Sequence, residues 1–495
     1  MTSPLLDRLE ASLASARGSI REVESGATRS LASVWHAAGE GALRLRAAGI
    51  EPGAHVALGV MPGVRAFASV LAVWRSGAAV VPLPAGAPAP ELARMIDDAR
   101  VRHAIVDDAF ASAVGSAATS LAPIEVEPEP LARTSAPAPW CDALGAESPA
   151  LILFTSGTTG RPKPAVLTHG NLAAQADALR AAWGFSPSDT LLHALPLHHL
   201  HGLVVAALTA LTTPASIATL RKFDAALVVR ELPRATVLMT VPTMLHRLVD
   251  TLEAEGGSSV NHARALRLTT SGSAALPASL AERWRAIAGS LPLERYGMTE
   301  VGIALSNPLD PAGRRVGFVG QTLPSVEVRI VDDAGRDGDG PGELFVRGPS
   351  VFAGYLDRPE ATRESFEGSW FRTGDVAARA EDGSVRLLGR RSVDILKTGG
   401  EKVSALEIEE ALREHPEVAE IAVVGVPDAQ WGDRVVAAVV ARPNSTLTGE
   451  ALRAWAKGRL APYKVPREVR LVPELPRNAM GKVQKPELVR RLASP

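Results

Sequence analysis

The chain of 495 residues is long enough to form more than one domain. Its 53 lysines and arginines almost balance its 54 aspartates and glutamates, and the net charge of −1 excludes a global field that would steer the protein to nucleic acid or to an anionic membrane. The one cysteine, Cys141, excludes an internal disulfide, and its Pro-rich surroundings argue against a catalytic role.

The N-terminal segment, Met1–Arg29, contains Ser, Ala and Arg residues, as transit peptides do. Four acidic residues interrupt it and it has no apolar signal core, so we interpret it as an amphipathic first helix of a cytoplasmic protein. The best candidate for a membrane span, Leu203–Leu211, is too short, and it predicts a core helix instead.

Helix and strand patterns alternate between residues 30 and 120. The predicted order is helix Leu31–Ala48, strand His55–Val60, helix Ala66–Trp74, strand Ala78–Leu83, helix Leu92–Arg100 and strand His103–Val106. This βαβα order predicts a fold of the α/β class, in which helices cover a parallel sheet. Residues 121–140 are rich in Pro, and we interpret them as a connection, because the same alternation resumes after them.

A loop rich in Gly and Thr follows the apolar strand Ala150–Phe154 and precedes a helix expected to begin behind Thr168 or His169. Backbone N–H groups in such a loop can converge on phosphate oxygens, while hydroxyls and a lysine add donors and charge. The spacing is not that of a Walker A motif, and the alternative is a flexible surface loop. The density of donors predicts a phosphate site made by Thr155, Ser156, Gly157, Thr158, Thr159, Gly160 and Lys163.

The decapeptide Thr155–Pro164 resembles the phosphate loop of the adenylate-forming (ANL) superfamily, which includes acyl-CoA synthetases, luciferases and peptide-synthetase adenylation domains. That family usually has Gly after the lysine, where this chain has Pro164. Because proline has no N–H, the loop would lack one donor if the family uses it.

Three histidines lie close together in the segment Leu195–Gly202, at His198, His199 and His201. No carboxylate or cysteine stands at a useful spacing beside them, which argues against a metal site. In the superfamily the matching residue of this turn, His199, gates the acyl pocket. The segment is similar to that of malonyl-CoA and methylmalonyl-CoA synthetases in particular.

Two predicted strands, Val237–Val241 and Leu266–Thr270, precede polar segments at the edge where ligands bind in open α/β sheets. The second leads to Ser273, which we assign to the nucleotide site. The later segment Leu293–Glu300 is similar to the superfamily motif Tyr-Gly-x-Thr-Glu. The resemblance implies a nucleotide site with a stacking Tyr296, Gly297, a phosphate contact from Thr299 and a Mg²⁺ ligand in Glu300.

The chain then becomes rich in Gly and Pro, and short strands predict a small β subdomain at Val326–Val331, Glu343–Arg347 and Val385–Leu388. By resemblance, Asp375 and Arg390 bind the ribose, and Ser392 is a hinge. The predicted domains are therefore residues 1–391, the adenylation domain, and residues 392–495, a mobile α+β lid.

The C-terminal part predicts helix Ala405–Leu412 with Glu409 and Glu410 exposed, strands Ile421–Val426 and Val435–Ala441, and helix Glu450–Leu460. Basic residues accumulate towards its end, either as a solvated face or as a lid that closes on triphosphate. The segment Pro476–Val483 resembles the terminal loop of the superfamily, whose lysine, here Lys482, is catalytic.

The resemblance implies two half-reactions at one site. A carboxylate attacks the α-phosphate of ATP, and Lys482 can neutralise the charge between the two anions. The acyl-adenylate then reacts with the thiol of CoA. The implied partners are Mg²⁺, ATP, CoA and a small acid, with no nucleic acid and no integral membrane segment, and the oligomeric state stays open.

Arg295 indicates that the substrate is a dicarboxylic acid, because the second carboxylate of such an acid could pair with a guanidinium. His199 and His201 could add donors, and the alternative is an Arg295 that pairs with Glu294 for structure. The favoured prediction is a malonyl-CoA or methylmalonyl-CoA synthetase. The alternatives are a medium- or long-chain fatty acyl-CoA synthetase, a stand-alone adenylation enzyme that loads a carrier protein, and a silent nucleotide-binding protein.

Overall fold

The computed structural model describes residues 3–14, 17–127, 144–155, 162–398, 401–428, 430–477 and 483–493. No helix in these ranges is long and apolar enough to cross a membrane.

The first part of the chain alternates helices and strands as predicted. Its elements are α1 (Pro4–Leu13), β1 (Ser19–Glu22), β2 (Thr28–Ser30), α2 (Leu31–Ala47), β3 (His55–Gly59), α3 (Val64–Ser76), β4 (Ala79–Pro82), α4 (Ala89–Asp98), β5 (His103–Val106), α5 (Asp108–Val114) and β6 (Thr119–Leu121). The predicted N-terminal helix is confirmed only as α1, whose leucines are buried, and the rest of that segment forms two short strands instead.

The second part carries the predicted nucleotide motifs. Its elements are β7 (Pro149–Thr155), β8 (Lys163–Thr168), α6 (His169–Trp183), β9 (Thr190–His193), a π-helix (His201–Leu208) that runs into α7 (Thr209–Leu211), β10 (Ser216–Thr219), α8 (Ala225–Glu231), β11 (Val237–Thr240), α9 (Pro242–Glu255), α10 (Gly257–Arg264), β12 (Leu268–Ser271), α11 (Ala278–Ala288), β13 (Leu293–Met298) and β14 (Gly302–Ser306). The run expected to be a core helix is fully buried.

The third part contains mostly short strands. They are β15 (Gln321–Thr322), β16 (Glu327–Val331), β17 (Gly342–Arg347), β18 (Gly354–Tyr355), β19 (Phe366–Glu367), β20 (Trp370–Arg379) and β21 (Val385–Arg390), with one helix, α12 (Pro359–Glu364), before β19. Strands β16, β17, β20, β19 and β21 pair into an antiparallel sheet, which agrees with the predicted β subdomain.

The C-terminal part forms a smaller α+β unit. Its elements are β22 (Ile395–Thr398), β23 (Glu401–Ser404), α13 (Ala405–Arg413), β24 (Val418–Asp428), β25 (Gly432–Ala441), α14 (Gly449–Lys457), β26 (Glu468–Leu471) and α15 (Lys485–Ala493). Separate apolar clusters cover the two faces of the sheet, one around Leu412 and Leu452 and the other around Leu488 and Leu492.

Two larger sheets make the body of the molecule. In the described ranges one has the strand order β18-β8-β7-β4-β3-β5-β6 and the other β15-β14-β13-β12-β11-β9-β10-β1-β2. The neighbours β3, β4, β5, β6 and β7 are parallel, and so are β9 to β13 and β1, so their carboxyl ends face one edge of each sheet. The predicted α/β class, with covering helices and a small C-terminal domain, is confirmed.

The predicted phosphate loop lies between two strands rather than between a strand and a helix. Strands β7 and β8 are antiparallel, and α6 begins one residue after β8 with Thr168 as its N-cap, as expected. Pro164 therefore lies in a strand, opposite Phe154, and not in the loop itself.

Candidate functional site

A chain of hydrogen bonds joins the predicted stacking tyrosine to the two predicted ribose residues. The hydroxyl of Tyr296 donates to Oδ2 of Asp375 at 2.5 Å, and Nε of Arg390 lies 3.1 Å from Oδ1 of the same carboxylate. The guanidinium of Arg390 also donates to the carbonyl of Thr373. Strands β13, β20 and β21 thus bring together three residues that are far apart in sequence.

Glu300, the predicted Mg²⁺ ligand, lies in the middle of the turn between β13 and β14 and is only 4% exposed. Its Oε1 accepts a hydrogen bond from the hydroxyl of Tyr355 at 2.8 Å. Burial raises the pKa of Glu300, while that hydrogen bond and the charges of Arg390 and Lys163 act in the opposite direction. Two cations therefore lie close enough to influence this carboxylate.

Lys163, at the end of the predicted phosphate loop, points to the same place. Its ammonium lies 5.0 Å from the ring centre of Tyr355, and its carbonyl accepts a hydrogen bond from Oγ1 of Thr155. Tyr355 thus contacts both Lys163 and Glu300. Sequence reasoning missed this tyrosine, although it is one of only three in the chain, and two of the three lie in this site.

A sharp irregularity in β13 shapes the backbone beside Tyr296. The register of β13 against β14 shifts between Tyr296 and Gly297, which is a β-bulge. A Cβ on Gly297 would lie 2.0 Å from the carbonyl oxygen of Gly302, so only glycine fits there. Thr299 follows in the same turn and is half-buried.

Arg295 faces away from this network, towards Gly272 and His201. It is 4% exposed, and among the described residues its Nε and Nη2 have no hydrogen-bond partner and no carboxylate pairs with it. No ion pair joins Arg295 to Glu294, because successive residues of a strand face opposite sides. Burial lowers the pKa of Arg295 to about 9.

One of the two predicted acyl histidines, His201, lies close enough to Arg295 for the charge of the guanidinium to act on its imidazole. His201 is 6% exposed, Nδ1 lies 3.4 Å from Oγ of Ser273, and Nε2 has no partner in the described part of the chain. Burial and the charge of Arg295 lower the pKa of His201 well below its ordinary value, so the imidazole is neutral. His199 stacks against His198 at 4.1 Å between ring centres, and burial lowers its pKa to about 4.

Two further buried polar atoms at strand ends have no partner among the described residues. They are Oγ of Ser271, at the end of β12, and Nδ1 of His193, at the end of β9. Nε2 of His193 contacts the carbonyl of Gly202 at 3.0 Å, at the start of the π-helix. Because the ring of His193 is neutral and Nε2 donates, its Nδ1 is an acceptor, whereas Nε and Nη2 of Arg295 are donors without a partner in the described ranges. The buried cation of Arg295 suits a polar, negatively charged ligand rather than an apolar one.

Some predicted residues lie outside the described ranges. They are Ser156, Gly157, Thr158, Thr159, Gly160 and Lys482. Ser392, the predicted hinge, lies exposed in the turn between β21 and β22, two residues after Arg390. In the described ranges no three His, Cys, Asp or Glu side chains form a metal-binding group.

Comparisons with known families cover both parts of the chain. The sequence matches the model of the AMP-binding enzyme family over residues 13–356 and that of the AMP-binding enzyme C-terminal domain over residues 407–482. The mitochondrial malonate–CoA ligase ACSF3 of Mus musculus is 42% identical over 465 residues, which cover 85% of this chain and 79% of the relative.

Solved structures share the fold. ATP-bound MatB from Rhodopseudomonas palustris superposes with a TM-score of 0.91 at 36% identity, over 100% of this chain and 99% of that one. A malonyl-CoA ligase in a ternary product complex with methylmalonyl-CoA and AMP superposes with a TM-score of 0.70 at 38% identity, over 96% of this chain and all of the other.

Proposed function

The chain belongs to the AMP-binding enzyme family, and on that premise we propose that it is an ATP-dependent malonate–CoA ligase, which also accepts methylmalonate. The observation that carries the choice of acid is Arg295, a buried guanidinium without a carboxylate partner among the described residues. A buried cation is costly unless an anion pairs with it, and the second carboxylate of malonate would be that anion.

The reaction has two balanced steps. An oxygen of one malonate carboxylate attacks the α-phosphorus of ATP, and pyrophosphate leaves, which gives malonyl-adenylate. The sulfur of CoA then attacks the acyl carbon, its proton is released, and AMP leaves. Because the same pocket holds the acyl group in both steps, one set of residues serves both.

Each residue of the site has a proposed part in these steps. Arg295 and the neutral His201 hold the carboxylate that does not react. Asp375 and Arg390 bind the ribose hydroxyls, and Tyr296 lies against the base. Lys163 neutralises phosphate charge together with the loop before it, and Lys482 is proposed to approach both reacting anions.

Mg²⁺ fits the site as a companion of the nucleotide rather than as a protein-held metal. Glu300 supplies one buried carboxylate, and Mg²⁺ in nucleotide sites typically takes one or two carboxylates, phosphate oxygens and water. When bound, the ion would screen the charge of the triphosphate.

The first experiment measures pyrophosphate release with ATP and Mg²⁺ for malonate, methylmalonate, acetate and octanoate, each with and without CoA. We expect malonate to be fastest and sustained turnover to require CoA. If octanoate instead gives the fastest release, the result would favour the fatty acyl-CoA synthetase and would mean that Arg295 has a structural role. Nucleotide binding without release for any acid would favour the silent nucleotide-binding protein.

The variant Arg295→Ala tests the pocket. Loss of one partner of a buried charge pair typically costs 2–5 kcal/mol, so we expect kcat/KM for malonate to fall ~100-fold or more relative to that for acetate. Acetate is the matched control within the same variant, since a general loss of folding lowers both values. An equal loss for both acids would contradict the assignment.

We also predict that the protein is cytoplasmic. Cell fractionation, with an antibody to the protein, tests this location. Recovery in an organelle fraction would contradict it.

A further inference from the structure

Three charged side chains meet inside the C-terminal part. Nζ of Lys485 lies 2.5 Å from Oδ1 of Asp394 and 2.7 Å from Oε1 of Glu409. Lys485 is 9% exposed and Glu409 is 6% exposed, so the prediction of an exposed Glu409 is wrong. The backbone N–H of Val423 also donates to Oε1 of Glu409 at 2.8 Å, which ties α13 to β24.

Asp394 uses its second oxygen to close the turn that contains the predicted hinge. Oδ2 of Asp394 accepts a hydrogen bond from the backbone N–H of Arg390 at 2.9 Å, and the N–H of Asp394 donates to the carbonyl of Arg390 at 2.7 Å. A Cβ on Gly389 would lie 2.5 Å from Cβ of Asp394. The contact between these residues therefore depends on glycine and leaves little freedom to the turn.

The guanidinium of Arg390 forms an ion pair with Asp375. A path of direct contacts therefore runs from Lys485 through Asp394 to the backbone of Arg390, and from the side chain of Arg390 to Asp375 and Tyr296. Lys485 lies on α15, and in the described part of the chain its ion pairs are with Asp394 and Glu409 rather than with a predicted nucleotide residue. Its effect on them would pass through Asp394.

We propose that Lys485 is a positioning residue for the nucleotide: it holds Asp394 on the turn, and the turn holds Arg390 on Asp375. This inference rests on the proposed role of Asp375 and Arg390 in nucleotide binding. Without the ammonium, the buried Glu409 and the partly buried Asp394 lose their shared counter-charge. Asp394, four residues from Arg390, then becomes a competitor of Asp375 for its guanidinium.

A purely structural role would give a different result. In that case loss of Lys485 would lower the free energy of unfolding of the C-terminal part and leave the nucleotide affinity of the folded protein unchanged. Nucleotide affinity, measured separately from stability, therefore separates the two roles.

The experiment compares the dissociation constants of ATP and AMP by calorimetry on the full-length protein, without any acid, alongside thermal unfolding. We expect Lys485→Met and Asp394→Asn each to raise the ATP dissociation constant ~10-fold, and the double variant to raise it no further, since both act through one path. Lys485→Arg should restore most of the affinity, because the charge returns.

Two variants serve as controls. Lys464→Met removes an ion pair of 2.5 Å with Glu407, which also lies on α13, and Glu409→Gln leaves the contact between Lys485 and Asp394 in place. Both should keep the ATP dissociation constant within about twofold of the unmodified protein. Asp394→Asn alone carries the test if Lys485→Met fails to fold.

An unchanged ATP affinity in folded Asp394→Asn and Lys485→Met proteins would overturn the proposal, and so would an equal loss in Lys464→Met. The outcome is independent of the acid. If the unmodified protein binds ATP but releases no pyrophosphate with malonate, the proposed function fails while the affinity comparison still decides the role of Lys485.

Discussion

Gly272 determines whether Arg295 can reach its position. A Cβ at residue 272 would lie 2.6 Å from the central carbon of the guanidinium and 2.7 Å from two of its nitrogens. The approach is therefore closer than any other side chain permits. Gly272 directly follows β12, and Arg295 lies in the neighbouring strand β13. The missing side chain at Gly272 therefore leaves the space that the guanidinium of Arg295 occupies.

Gly272→Ala should impair binding of the acid and leave binding of ATP intact. The added methyl group must displace the guanidinium, and misplacement by about 1 Å can cost ~100-fold in rate. We expect KM for malonate to rise ~10-fold or more, with KM for ATP within about threefold. Gly338→Ala is the control, because a Cβ there would have no atom within 4 Å. A parallel rise in both KM values would show that the site as a whole is disturbed.

The role of a residue can be predicted from the sequence when the residue belongs to a recognisable motif. Its contacts and burial are harder to predict when they depend on segments far away in the chain. Tyr296 and Asp375 were predicted separately, and the structure places them in one hydrogen bond. Glu409 looked exposed because its helix is amphipathic. Its burial depends on Lys485, which is 76 positions further along the chain and which no local pattern links to it.

At the scale of elements, strand β13 serves two different surfaces. Arg295 faces the proposed acyl site, whereas Glu294, next to it, is buried on the opposite side of the strand. Burial raises the pKa of Glu294 to about 8, with Glu410 raising it further and a hydrogen bond from the backbone of Gly317 lowering it. Glu294 is therefore largely protonated at neutral pH in the folded protein.

Glu294→Gln should change how stability depends on pH. In the unfolded chain a glutamate titrates near pH 4.5, so between about pH 4.5 and 8 the folded state binds a proton that the unfolded state does not. The free energy of unfolding therefore decreases as pH rises through that window, by at most about 1.4 kcal/mol per pH unit. Glutamine has no such proton, so the variant should gain stability over the unmodified protein as pH rises.

Urea unfolding at pH 5, 6, 7 and 8 measures the effect of Glu294→Gln. The exposed Glu381→Gln is the matched control and should leave the slope unchanged. A constant difference between Glu294→Gln and the unmodified protein across this range would mean that Glu294 is ionised throughout.

Helices and strands with a regular pattern of apolar residues agree closely with the prediction. Short strands that form only because they pair with another strand were not predicted. Strand His103–Val106 agrees at both ends, and α3 ends at Gly77, which adopts a left-handed conformation as a helix cap. Strand β8 was missed because its polar start continues the phosphate loop without a break in composition. Strands β1 and β2 were missed because β1 owes its place to pairing with β10, which lies almost 200 residues away.

At the scale of the whole molecule, two ion-pair contacts flank the predicted hinge. Before it, Arg391 pairs with the buried Glu343 of β17 at 2.8 Å, and after it Asp394 pairs with Lys485. Only Ser392 and Val393 lie between them. Each side of the predicted hinge is thus tied to a different part of the chain, Arg391 to β17 and Asp394 to α15.

Ser392→Pro should therefore change the two half-reactions by different factors. Proline fixes φ near −65° and would favour one arrangement of the two parts over the other, whereas Ser392→Gly retains both. Pyrophosphate release with malonate reports the first step, and formation of malonyl-CoA from preformed malonyl-adenylate and CoA reports the second. We expect the ratio of the two rates to shift ~10-fold or more in Ser392→Pro and to stay within about threefold in Ser392→Gly. Equal changes in both steps would place the pivot outside the Ser392–Val393 segment, because a fixed φ there would then leave the balance between the arrangements untouched.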